Sequence, residues 1–106
     1  MTIFRWLNKQ GVESSNGFVL QSMHRHYYHY IEAGKVLRVI VEPCRDHKSG
    51  EYYEEISINP FTWDPPNDSR AILPQEQALI LENIAAALRF MGIKHVFVGA
   101  GPAAGA

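Results

Sequence analysis

The chain has 106 residues, of which 46% are hydrophobic and 20% charged, and a net charge of −1. That length suits one domain able to bury roughly two-thirds of its unfolded surface, and that composition excludes a wholly disordered chain. The near-neutral charge argues against a nucleic-acid-binding module, which needs a basic excess to displace counterions.

Thr2 to Gln10 place Ile3, Trp6 and Leu7 at i, i+3 and i+4. This spacing fits a short amphipathic helix ending before Gly11, with a strand as the alternative for so short a run. Gly11 to Gly17, with Ser14, Ser15 and Asn16, reads as a turn. From Phe18 the chain is rich in aromatic and β-branched residues: Phe18 to Met23 reads as a first strand, and Arg25 to Ile31 as a second strand or its continuation. Glu32-Ala33-Gly34-Lys35 supplies a hairpin turn. Val36 to Val41 alternates, with Leu37, Val39 and Val41 on one side and Val36, Arg38, Ile40 and Glu42 on the other. Pro43 is expected to stop that strand, leaving Cys44 to Gly50 as a polar loop. Glu51 to Ile58 completes the meander, with Tyr52, Glu54, Ile56 and Ile58 opposite Tyr53, Glu55 and Ser57.

The segment Asn59-Pro60-Phe61-Thr62-Trp63-Asp64-Pro65-Pro66 divides the chain. Its prolines remove backbone donors and fix φ, so it is neither a central strand nor a helix interior. Phe61 and Trp63 on so stiff a connector are expected to point into the core, with Pro65 and Pro66 holding its shape. Asn67 to Arg70 is a turn. A helix is predicted from about Pro74 to Met91: Pro74 fits its first position, Glu76 its first turn, and Gly92 its left-handed cap. Ile80, Leu81, Ile84, Leu88 and Met91 form its apolar stripe. Ile93 to Val98 reads as an edge strand.

Together these elements predict an α+β fold, an antiparallel meander of about four to five strands packed against one long C-terminal helix. Residues 1–98 form the single domain and residues 99–106, all Gly, Pro and Ala, a flexible tail. The glycines around Val98-Gly99-Ala100-Gly101 imitate a dinucleotide-binding fingerprint, but that chemistry needs a following helix and a second strand, and the chain ends at Ala106.

His24, His26, Cys44 and His47 are the metal-like set, and on a strand His24 and His26 would share a face while His29 points away. The set lacks paired Cys-x-x-Cys or a His-Glu-x-x-His helix, so no cofactor or metal is expected; the alternative functions are a small metal- or cysteine-dependent enzyme using these residues and an uncharacterised interaction domain. The run Arg25-His26-Tyr27-Tyr28-His29-Tyr30 interleaves basic and aromatic residues. Without a basic excess elsewhere it reads as a protein-binding face, not a nucleic-acid platform. The lone Cys44 excludes an internal disulfide, Met1 to Gln10 shows no secretory signal, and no apolar run approaches bilayer length, so a cytoplasmic protein without membrane association is expected.

The turn before Val36-Leu37-Arg38-Val39, the strand end Val41-Glu42-Pro43, the connector Trp63-Asp64-Pro65-Pro66 and the helix running to Met91-Gly92-Ile93 resemble a family of small bacterial immunity proteins from polymorphic toxin systems. The resemblance covers about Gly17 to Ile93. It implies a non-enzymatic cytoplasmic protein that neutralises a cognate toxin by direct binding, with Trp63, Pro65 and Pro66 in structural roles. The partner-facing residues come from the residues themselves: Arg25, Tyr27 and His29 on the Tyr/His strand, and Glu51, Glu54 and Asp64 on the acidic rim. A homodimer through a sheet edge is the other association expected.

Overall fold

Alternation of apolar and polar residues decides which side of each strand is buried, and among the described residues one helix covers part of that side. The computed structural model describes residues 2–98. Its strands are β1 (Phe4–Asn8), β2 (Gly11–Ser14), β3 (Phe18–His24), β4 (Tyr27–Glu32), β5 (Lys35–Arg45), β6 (Tyr52–Ser57) and β7 (His95–Phe97), with the helix α1 (Pro74–Phe90) between β6 and β7. The fold is α+β. All seven strands form one sheet in sequence order, antiparallel from β1 to β6, with β7 parallel to β6. A parallel neighbour needs a long crossover, which the proline connector and α1 supply.

The strand count corrects the expected four to five, and the helix is followed by β7, within the stretch Ile93 to Val98 expected as an edge strand. The extra strands come mainly from the N-terminus. Trp6 pairs with Val12 and Phe4 with Ser14, so the expected short helix is a strand, its alternative reading, and the expected turn is strand up to Ser14, with Ser15 to Gly17 remaining as the turn. Periodicity over five residues is too short to decide; pairing with a neighbour decides it. On the helix side Phe4 stacks on Phe90, ring centroids 5.4 Å apart, and Trp6 lies 5.8 Å from the same ring.

β5 also runs further than expected, through Pro43 to Arg45. The Val41 N–H donates to the His26 carbonyl at 2.8 Å, on the β4 side. Two residues on, the proline nitrogen faces the same side, where β4 has already turned away: Ile40 is the last β5 residue paired with it. Pro43 therefore deprives the ladder of no partner, and on the other side it pairs with Glu54. Cys44 is a strand residue opposite Tyr53, not part of a loop.

The core is built from the inner face of the sheet, including Phe18, Leu20, Tyr30, Leu37, Val39, Val41 and Ile56, against Ile80, Ile84, Ala87 and Leu88 of α1. Pro74 opens the helix, the Glu76 carboxylate accepts from the Leu73 N–H at 3.3 Å, and Gly92 follows the helix with φ +76°. Tyr30 ties the two layers together: its hydroxyl donates to Glu32 Oε1 at 2.7 Å and accepts from Asn83 Nδ2 of α1 at 2.9 Å.

Where β6 ends, the connector takes its place beside β5. The Asp64 N–H donates to the Val36 carbonyl at 2.7 Å. Trp63 turns inward, only 4% exposed, 6.4 Å from the Tyr30 ring and capped by the Lys35 ammonium at 5.2 Å. Phe61 is half-buried against the core, whereas Pro65 and Pro66 are exposed. Residues 99–106, expected to be a tail, lie outside the described residues.

Two outcomes are expected from this packing. Trp63→Ala removes a buried aromatic and costs about 3–5 kcal/mol in denaturant unfolding. Ala33, in the two-residue turn between β4 and β5, has φ +51° beside Gly34 at +75°. Ala33→Gly relieves a left-handed alanine and raises stability by about 1 kcal/mol, seen as a higher thermal midpoint.

Candidate binding surface on the open sheet face

With α1 on one side, the other side of the sheet carries no covering element among the described residues. The residues that project there are set by register. β3 ends at His24, and Arg25 and His26 form the turn, so the alternation restarts at Tyr27. His24, Tyr27 and His29 consequently share the open face. This corrects the expectation that His29 points away from His24, although the His24 and His26 rings do lie together: the turn and a bulge between Ser22 and His24 reset the period.

Tyr27 is the centre of the surface. Its ring stacks with His24 at 5.7 Å and 19°, lies 5.6 Å from His29, and carries the Arg38 guanidinium 4.7 Å above its centroid. Arg38 is opposite His29 across the β4–β5 pair, and Ile40, exposed, is opposite Tyr27. The surface continues into a depression of about 290 Å³ lined by Arg38, Ile40, Asn59, Pro60, Thr62 and Asp64, where the connector borders β5. Tyr27, His29 and Asp64 are thus joined through Arg38 and Ile40. These two were legible as residues of this face from the β5 alternation, but their part in a continuous surface depends on the connector's path. Arg25 is exposed in the adjoining turn.

The other acidic residues go elsewhere. Glu51 lies near β7 in a depression of about 410 Å³ with Asp46, Tyr53 and Lys94, and forms an ion pair with Lys94. Asp46 accepts from the Lys48 and Ser49 N–H groups at 2.8 Å each, which holds its carboxyl below the usual range. Glu54 is not on the open face at all. It is 6% exposed, on the helix side, with Oε1 accepting from the Tyr28 hydroxyl and Oε2 from the Tyr52 hydroxyl, each at 2.5 Å. Its sequence neighbours Glu51 and Glu55 gave no sign of this burial; the alternation that puts it on one side with Ile56 did.

The His/Cys set is not gathered. The His24 and His26 rings are 5.5 Å apart, but Cys44 is on β5 opposite Tyr53 and His47 is in the following turn. Among the described residues no group of three or more His, Cys, Asp or Glu side chains is arranged to hold a metal ion. The Cys44 thiol is raised above its ordinary value by desolvation and by Glu55, the opposite of what an activated thiolate needs.

No family model, curated protein or solved structure matches the chain. No helix among the described residues is long and apolar enough to cross a membrane.

The tyrosine network makes its own predictions. Burial and the bond to Glu54 raise Tyr28, and the same causes push Tyr52 up to about 12. A folded-state value above the unfolded one means that the native state holds the proton more tightly. This stabilisation is complete below about pH 10 and is lost as pH climbs towards 12. Unfolding free energies should therefore fall above about pH 10, and less steeply in Tyr28→Phe. At neutral pH, Tyr28→Phe leaves a buried carboxylate oxygen without its donor and costs about 1–3 kcal/mol. Tyr52→Phe costs less, because Tyr52 is 46% exposed and water can replace its hydroxyl.

Proposed function

We propose that this protein is a non-catalytic binding module, an immunity protein that neutralises a bacterial toxin by laying its open sheet face over it. The observation that carries the reading is the uncovered outer face with Tyr27 fixed among His24, His29 and Arg38. Tyrosine and arginine are the residue types on which interface energy concentrates. Here they are held in place before any partner arrives, which lowers the entropic cost of binding. The adjoining depression beside Asp64 offers a partner side chain somewhere to insert. The partner is a toxin protein. The resemblance of the connector and helix to immunity proteins supports that choice, and the toxin's surface would complement the Arg38 and His29 end of the face.

The experiment uses the toxin domain encoded beside this gene. Co-expression should restore growth, and the purified pair should form a direct complex by calorimetry. Tyr27→Ala and Arg38→Ala should each weaken it by about 2 kcal/mol, roughly 30-fold, at unchanged thermal midpoint. An adjacent toxin that neither binds nor is neutralised defeats the proposal, as do variants that bind like the wild type. A wild-type protein that dimerises alone, with Tyr27→Ala monomeric, would assign the face to a second copy instead.

A further inference from the structure

The helix side of the sheet holds a polar site that the open face does not use. Beyond the C-terminal end of α1 lies a pocket of about 260 Å³, whose lining includes Trp6, Lys9, Tyr28, Glu54, Met91 and Ile93. Trp6 and Glu54 come from near opposite edges of the sheet, so the sheet curls to bring them to one cavity. Glu54 is nine-tenths buried here, and its two oxygens accept one tyrosine hydroxyl each. A carboxylate offers about four acceptor positions, so about two stay free. The ion pairs among the described residues are Arg5–Glu13 and Lys94–Glu51, and neither includes Glu54. Both tyrosine hydroxyls are spent as donors to Glu54, and a buried carboxylate outside any ion pair is costly. Beside it stand an indole, the strongest aromatic partner for a cation, and the apolar side chains of Met91 and Ile93.

We propose that this pocket binds a small organic ammonium ion, its charged nitrogen on Glu54 and its hydrocarbon part against Trp6, Met91 and Ile93. The volume is at the small end for ligand sites, about 300 Å³ upward, which suits an amine of a few heavy atoms and excludes a nucleotide. The site lies on the side of the sheet opposite the toxin-facing surface and does not depend on that reading.

The test is an NMR titration of the full chain with n-butylammonium chloride, using n-butanol as the neutral analogue at matched ionic strength. The expected result is a saturable millimolar response at the Trp6 indole N–H and the Met91 and Ile93 amides, absent with n-butanol. Glu54→Gln should weaken binding at least tenfold, and Trp6→Leu several-fold. No saturable response, an equal response to n-butanol, or unchanged binding in Glu54→Gln would each overturn the site. Should Glu54→Gln fail to fold, Trp6→Leu decides, because Trp6 is half-exposed and its replacement is tolerable. Unchanged binding in that variant also overturns the proposal. Binding seen only in Lys9→Met would identify Lys9 as the pocket's own cation and overturn it too.

Discussion

One helix serves a seven-stranded sheet, and the mismatch in size governs the rest of the molecule. At ~1.5 Å per residue, the 17 residues of α1 make a rod about 25 Å long and about 10 Å across. Seven strands spaced ~4.8 Å apart span about 29 Å. The rod covers only part of one face, yet apolar residues line that face from Val12 on β2 to Ile56 on β6. Cover therefore has to come from elsewhere. The connector contributes Trp63 and the segment before α1 contributes Ile72, while Phe4 and Trp6 reach Phe90 from the first strand. The sheet curls, and where cover runs out past the helix end a pocket remains over Glu54.

Much of this was legible in the sequence, wherever a local signal and the tertiary contact agree. The β5 alternation of Leu37, Val39 and Val41 and the helix from Pro74 are examples, since burial of one face reinforces the period in each. The readings that differed are those in which a partner strand decides. Phe4 to Asn8 carries a spacing compatible with a helix and becomes a strand because Val12 and Ser14 pair with it. Pro43 looked like a terminator and is not one, because the neighbour whose hydrogen bond it would break had already left the sheet. The turn at Arg25 and His26 was hidden inside a run of strand-forming residues, and missing it put His29 on the wrong face.

Electrostatics separates the two faces as clearly as packing does. On the open side Arg38 rests on an aromatic ring and Arg5 pairs with Glu13, both in reach of water. On the covered side Glu54 has two phenol donors and no ion pair among the described residues. Neutral donors lessen the cost of a buried negative charge, and a cation in good geometry would lessen it further. A cation bound at Glu54 would therefore add to the stability of the fold by mass action.

The Tyr/His run shows how both faces arise from one short stretch. As a sequence, Tyr27-Tyr28-His29-Tyr30 looks like a single sticky surface. As a strand it is two interleaved sets: Tyr28 and Tyr30 point inward and donate to Glu54 and Glu32, and Tyr27 and His29 point outward beside Arg38. Because the period is two, a slip of one residue would exchange the sets, exposing the hydroxyl donors and burying the histidines. Register is held against that slip at both ends, by the two-residue turn at Ala33 and Gly34 and by the Tyr28–Glu54 bond across the sheet. The buried tyrosines therefore help keep Tyr27 on the outside, so the open surface owes its composition partly to contacts on the face it does not share.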